Sequence, residues 1–194
     1  MNPGAADYPD KDKEETMQTQ RYSGLSRAIH WVSAIIILAL IVVGWYMTGL
    51  AEDDPSRRSI YGMHKAFGVL TVFLFVARIA WLRVNPAPEL PSVFNAREKL
   101  VTKGVQSLLY VLLVLIPVSG YVMSTAGGHP ISFFGLFDLP ALIGENKAVA
   151  GFAHEAHAIL SYAGLALVLL HMAGALKHRV LDKGGESDVL ARML

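Results

Sequence analysis

Two histidines fourteen residues apart, His157 and His171, are the residues of this 194-residue chain whose type and spacing most clearly point to chemistry. In an α-helix, fourteen residues rise about 21 Å and complete nearly four turns, so both imidazoles project from one face. Imidazole is costly inside a membrane and is usually functional there. Because His30 and His64 lie on other apolar segments, the pattern predicts axial ligands for two stacked haems.

Position along the apolar segments sorts these histidines into two pairs. His64 begins the second segment and lies at the predicted depth of His157, whereas His30 begins the first segment and lies at that of His171. Each pair would hold one iron from two helices, as in low-spin b-type haem. The alternative is that these histidines are polar core residues that bond only to each other, but such residues would not need to match in depth across the helices. A zinc site would need acidic or thiol ligands that do not join these pairs.

Two further histidines compete for these roles. His154 is rotated about 100° from the face of His171 and is the weaker outer ligand, although an irregular helix would exchange it with His157. His178 follows His171 by seven residues on the same stripe, and pairing those two would leave His64 without a partner. The assignment of His157 and His171 is preferred, and both alternatives stay open.

Composition indicates a membrane protein that holds any cofactor noncovalently. The chain is 53% hydrophobic and 17% charged, against about 25% charged residues in soluble domains. It contains no cysteine, which excludes disulfides, thiolate-bound iron–sulfur clusters and covalent attachment of c-type haem.

Four apolar stretches are long enough to cross a hydrocarbon core of about 30 Å. The predicted spans are 28–50, 62–84, 104–126 and 154–178. Pro117 predicts a kink in the third. Short connections favour an all-α membrane protein, an antiparallel four-helix transmembrane bundle with two haems between the helices.

The bundle is predicted to occupy residues 21–183, between two cytoplasmic tails. Residues 1–20 are polar and predicted to be disordered, and residues 184–194 form the second tail. Most Lys and Arg residues near the spans lie in the tails and in the connection between the second and third spans. By the positive-inside rule, both termini of this multi-pass protein are expected in the cytoplasm.

Arg78 is a further candidate for cofactor binding. It follows His64 by fourteen residues, so it lies on the same helix face at the depth of the inner haem. A guanidinium there would pair with a haem propionate. The alternative is an arginine near a helix end that reaches the membrane interface.

Several motifs resemble those of the bacterial cytochrome b561 family. The matching stretches run from about Tyr22 to Lys183 and read A-I-H-W at 28–31, G-M-H-K-A-F-G at 62–68, R-I-A-W-L-R at the end of the second span, I-P-V-S-G-Y-V-M in the third and H-A-I-L-S-Y-A-G in the fourth. The resemblance implies a four-helix inner-membrane cytochrome whose first, second and fourth helices bind two b haems, each between two histidines. Carried onto this sequence, the ligands are His30, His64, His157 and His171.

One motif departs from the family pattern. The family often has His-Glu at the start of the fourth helix, and here that dipeptide is His154-Glu155. The spacing to His171, however, belongs to His157.

Some family members resemble a superoxide oxidase, which implies electron transfer from periplasmic superoxide to ubiquinone. In that interpretation His178 is the catalytic residue that supplies a proton to the quinone, with Arg27 or Lys177 nearby. The alternative for His178 is a cation that interacts with the helix dipole. The expected partners are the membrane, a quinone, and superoxide or a periplasmic redox protein, with no nucleic acid.

Charge on the outer segments does not favour an anionic substrate. These segments carry more carboxylates than Lys and Arg residues, whereas a positive surface would attract superoxide. The second hypothesis is therefore an electron relay or membrane anchor subunit for a dehydrogenase or a periplasmic redox partner. A transporter bundle fits less well, because there are four spans and no broken helices.

Overall fold

Four long helices carry most of the apolar residues. A computed structural model describes residues 21–182 and 185–194, so the predicted tail of residues 1–20 lies outside the described part. The helices are α1 (Gly24–Thr48), α2 (Arg57–Val84), α3 (Ala96–Ala126) and α4 (Lys147–Val180). Each is long and apolar enough to cross a membrane. The predicted four-helix membrane fold is confirmed.

The third and fourth helices begin well before the predicted spans, because polar caps start them outside the apolar stretch. At α3, the Glu98 backbone N–H donates to Asn95 Oδ1 at 3.0 Å, and the Asn95 N–H donates back to Glu98 Oε2 at 3.1 Å. This capping box satisfies amide groups that the first turn leaves free. At α4, Asn146 Oδ1 accepts two backbone N–H groups of the first turn. The predicted starts at residues 104 and 154 therefore marked only the beginning of the apolar part of each helix.

The helices pack as two pairs. α1 packs mainly against α2 and α3 mainly against α4, with a smaller contact between α2 and α3. Gly164 lets α3 approach α4, because a Cβ there would lie 3.1 Å from Ile116 Cδ1. Among the described residues, α4 makes no comparable backbone approach to α1 or α2. A gap therefore separates α4 from the α1–α2 pair.

One end of the bundle carries a β-hairpin that the sequence did not predict, and we call it the hairpin end. Strands β1 (Ile131–Phe133) and β2 (Phe137–Leu139) pair antiparallel. Phe134 and Gly135 have φ values of 51° and 75°, the signs required by a type I′ turn. The Phe134 ring packs edge-on against Phe67 of α2, with centroids 5.1 Å apart.

The opposite end, which we call the tail end, carries residues 185–194. The segment forms a short 3-10 helix at Gly185–Ser187 followed by turns. It packs back on the start of α1, where Trp31 Nε1 donates to the Met193 carbonyl at 2.7 Å. Arg27 also donates to the Leu194 carbonyl. The described part of this tail is therefore bound to the bundle.

Candidate functional site

Two pairs of histidines face each other across the gap. The tail-end pair consists of His30 on α1 and His171 on α4, with ring centroids 6.4 Å apart and planes at 65°. The hairpin-end pair consists of His64 on α2 and His157 on α4, also 6.4 Å apart and at 78°. All four rings are half-buried. The structure thus brings together the same pairs of histidines that their predicted depths in the membrane had suggested.

The separation within each pair fits two imidazoles on opposite sides of one metal ion. A metal–imidazole bond is about 2.0–2.1 Å, and a ring centre lies about 1.1 Å beyond its nitrogen, so opposed rings would lie about 6.3 Å apart. The observed centroid distances are 6.4 Å in both pairs. Within residues 21–182 and 185–194, no hydrogen bond joins the two members of a pair, so neither spacing comes from direct bonding.

The space around the pairs suits a flat group. Packed helices normally lie 8–10 Å apart, but α4 lacks such close backbone packing on α1 or α2. Next to the hairpin-end pair, a Cβ at Gly44 would lie 3.5 Å from His64 Cε1, so the α1 backbone lies directly against that ring. One turn after His64, the space at Gly68 is open. The donor set and its surroundings fit a haem.

His157 is held by α3. Its Nδ1 lies 2.9 Å from the Ile116 carbonyl oxygen and 3.2 Å from Ser119 Oγ. Because a carbonyl oxygen only accepts, Nδ1 carries the proton and Nε2 keeps its lone pair. The lone pair is what a metal ion requires.

Arg78 reaches from α2 to α1 at a point one helical turn before His30. Its Nη1 donates to the Ser26 carbonyl at 3.0 Å, and its Nε donates to Tyr110 Oη at 3.4 Å. No carboxylate in the described residues forms an ion pair with it. Burial raises the pKa of Tyr22 despite the opposing charge of Arg78, so this phenol stays neutral. The guanidinium therefore has charge available for an anionic group.

The remaining candidate histidines lie elsewhere. His154 is exposed, with its Nδ1 3.3 Å from Met123 Sδ, and it is His157 that faces His64. His129 is exposed in the loop before β1. His178 faces neither His171 nor His30 but stacks on Phe94, with centroids 4.4 Å apart.

His178 belongs to a separate pocket at the tail end. It is 7% exposed, and its Nδ1 donates to Asp182 Oδ2 at 2.7 Å. The pocket has a volume of about 440 Å³, which lies within the range of small-molecule sites. Its other lining residues include Phe94, Glu98 and Glu186. Lys177 points toward this region and pairs with Glu98 at 3.2 Å.

Sequence reasoning missed the role of α3 at the histidines. The motif I-P-V-S-G served only to predict a kink at Pro117 and to support the resemblance. In the structure, the Ile116 carbonyl and the Ser119 hydroxyl lie within hydrogen-bonding distance of His157 Nδ1, and Gly120 lies against the same ring. A serine beside a glycine in the middle of an apolar helix was the available signal, since polar residues in membrane helices usually bond across to a neighbour. The partner itself could not be read from the sequence.

Known proteins resemble this chain over nearly its whole length. The family model described as prokaryotic cytochrome b561 matches residues 21–194. Cytochrome b561 homolog 2 of Escherichia coli (strain K12) is 38% identical over 180 residues, covering 92% of this chain and 94% of that protein. The resemblance inferred from the motifs is confirmed. This multi-pass membrane protein belongs to the prokaryotic cytochrome b561 family, whose members transfer electrons on b-type haem.

Proposed function

We propose that this protein carries electrons between two b haems held at opposite ends of the bundle. The tail-end pair, His30 and His171, would bind one haem, and the hairpin-end pair, His64 and His157, the other. The main support for this proposal is that the ring centroids are 6.4 Å apart in both pairs. Since α4 contributes one histidine to each pair, a single continuous helix fixes the two sites about 21 Å apart along its axis.

A haem held between two histidines would supply single-electron transfer, because no coordination position on the iron would stay open to a substrate. The chain's contribution is then to hold, orient and bury the group. Arg78 would bind a propionate at the tail-end site with the guanidinium that has no acidic partner among the described side chains. The reacting partners must approach the two ends of the bundle from outside.

The tail end is proposed to face the cytoplasm and the hairpin end the periplasm of the inner membrane. Support comes from the Lys and Arg residues in the tail-end turns of the helices, which are Arg83 in α2, Arg97, Lys99 and Lys103 in α3, and Lys177 and Arg179 in α4. Electrons entering at the hairpin-end pair would then move inward.

The proposed donor is superoxide. Each superoxide would lose one electron and leave as dioxygen, so two of them supply the two electrons that reduce one quinone. Lys65, which follows the proposed ligand His64, supports this choice. Its Nζ donates to the Pro130 carbonyl at 2.6 Å and to Ser124 Oγ at 3.2 Å, and no carboxylate in the described part of the chain pairs with it. Its positive charge is therefore available to an approaching anion.

The proposed acceptor is ubiquinone at the tail end. Reducing it to quinol takes two electrons and two protons from the cytoplasmic side. The pocket of about 440 Å³ contains the His178–Asp182 pair, which suits proton delivery because the carboxylate orients the imidazole. Phe94 stacks on the same imidazole and adds a flat apolar wall for a quinone ring.

A second function, an electron relay or anchor subunit without its own catalysis, is favoured by one observation. The segments at the hairpin end carry more carboxylates than Lys and Arg residues. Such a surface would suit a basic periplasmic redox protein better than a small anion.

Stopped-flow mixing separates the two functions. Quinone-loaded protein in detergent is mixed with superoxide, and haem reduction is followed by absorbance at low and high ionic strength. Fast reduction that slows with salt supports superoxide oxidation. Haems that stay oxidised with superoxide but accept electrons from a reduced redox protein support the relay.

A further inference from the structure

Among the four facing histidines, His157 alone has a side-chain hydrogen bond within the described residues. The bond from its Nδ1 to the Ile116 carbonyl is 2.9 Å long. At its partner His64, by contrast, Nδ1 is buried and has no hydrogen-bond partner in the described structure. The two rings of the hairpin-end pair are therefore held in different ways.

The contact between α3 and His157 involves three groups rather than one carbonyl. Ser119 Oγ donates to the Ile116 carbonyl at 2.8 Å and lies 3.2 Å from His157 Nδ1, so it can accept a share of the same proton. A Cβ added at Gly120 would lie 3.1 Å from His157 Cε1 and 3.2 Å from Nδ1. Only a glycine lets the ring lie this close to the α3 backbone without a shift. We call Ile116, Ser119 and Gly120 the α3 cradle.

We infer that the α3 cradle, on the one helix that supplies no proposed ligand, positions His157 and sets the electron donation of this imidazole to the hairpin-end haem. The inference rests on the proposed ligand role of His157. A hydrogen bond from the non-ligating N–H to a carbonyl fixes the ring and makes the ligating nitrogen more basic. A more basic ligand stabilises oxidised iron, so the cradle lowers the reduction potential at this site.

The tail-end pair has no equivalent support. His30 and His171 make no side-chain hydrogen bonds in residues 21–182 and 185–194. The cation Arg78 donates to the Ser26 carbonyl, one helical turn before His30. A cation favours the reduced state of a neighbouring redox group. The cradle and Arg78 therefore act in the same direction, because a lower potential at the hairpin end drives electrons toward the tail end.

The test compares cradle variants with controls on the same helix. Ser119→Ala removes the hydroxyl, and Gly120→Ala pushes the ring away from the carbonyl. Their matched controls are Ser107→Ala and Gly104→Ala, since Ser107 is exposed and a Cβ at Gly104 would meet open space. Spectroscopic redox titration of each purified holoprotein gives the potentials of both haems, and electron paramagnetic resonance reports the axial ligand field.

Both cradle variants should raise the potential at the hairpin-end site and shift its low-spin resonance, while the tail-end signal and both controls stay at wild-type values. Ser119→Thr keeps a hydroxyl and should keep the wild-type potential and resonance. Unchanged potentials in both cradle variants would overturn the inference, as would a shift in Ser119→Thr as large as the shift in Ser119→Ala. Because Ser119→Ala adds no atoms, it keeps the test valid if Gly120→Ala fails to fold.

The haem count separates failure of this inference from failure of the proposed function. A pyridine haemochrome assay on the wild type that gives two haems per chain, followed by unchanged potentials in the variants, would reject the cradle and leave the ligand assignment standing. A wild type without a hairpin-end haem would reject the assignment itself.

Discussion

His30 and His171 hold their ring centres 6.4 Å apart although no hydrogen bond connects them in the described structure. The spacing is therefore set by the helices that carry them, α1 and α4, and the same distance recurs in the hairpin-end pair. Trp31 packs edge-on against His30 at 5.4 Å and donates to the Met193 carbonyl. The tail segment thus supports one side of the tail-end site.

Removing one histidine should remove one haem only. His64→Ala or His157→Ala should lose the hairpin-end haem, and His30→Ala or His171→Ala the tail-end haem, because each iron would keep a single axial ligand. The haemochrome assay should fall to about half in every variant, with a different potential missing in the two sets. Loss of the same haem from the His64 and His171 variants would contradict the pairing.

His154→Ala provides the control for those four variants. Its side chain is exposed and contacts Met123 rather than His64, so both haems should remain. If this variant instead loses the hairpin-end haem, the ligand is His154, and the alternative left open by the sequence is correct.

Arg78 should raise the potential of the tail-end haem and help to retain it. A positive charge beside a redox group favours its reduced state. Arg78→Gln should therefore lower the tail-end potential, on the order of tens of mV, and leave the hairpin-end potential in place. Arg83→Gln is the control, since Arg83 is exposed in the last turn of the same helix. Equal shifts at both haems would exclude a local role.

The overall fold could be predicted because two strong patterns specify it. Long uncharged runs set the number of spans, and a rise of 1.5 Å with 3.6 residues per turn sets the relative depth and face of each histidine. The hairpin was missed for a physical reason. Its strands have three residues each, and its turn places the bulky Phe134 at positive φ, where sequence patterns favour glycine, asparagine or aspartate.

The candidate site was predictable only in part for a different reason. Facing histidines can be paired by depth. The hydrogen bond from His157, however, goes to a backbone carbonyl of α3, and every residue has such a carbonyl, so residue types do not reveal which one accepts the bond. Its only trace is the small-residue pair Ser119 and Gly120. By contrast, Asp182 lies four residues after His178, a helical spacing that sequence reasoning could have used.

The His178–Asp182 pair should matter for quinone reduction and not for haem binding. His178→Gln and Asp182→Asn should slow quinol formation about 10²-fold, the usual contribution of a positioned proton donor. Reduction of the haems by superoxide should continue at the wild-type rate, which stopped-flow absorbance measures separately. The exposed neighbour Arg179 gives the control Arg179→Gln. Normal quinol formation in both pocket variants would place the acceptor site elsewhere.

Lys65 should accelerate the reaction with superoxide through its charge. Lys65→Gln should lower the rate of haem reduction on the order of tenfold at low ionic strength, with a smaller effect at high salt, because a steering charge is screened. Lys65→Arg keeps the charge and should keep most of the rate. The same side chain also joins α2 to the hairpin through the Pro130 carbonyl, and a charged hydrogen bond of this kind is worth about 1.5–3 kcal/mol. The thermal unfolding of both variants is therefore measured together with the kinetics. If the rate falls only as far as stability falls, Lys65 acts by anchoring the hairpin. If the rate falls in a salt-dependent way at unchanged stability, Lys65 acts by attracting the anion.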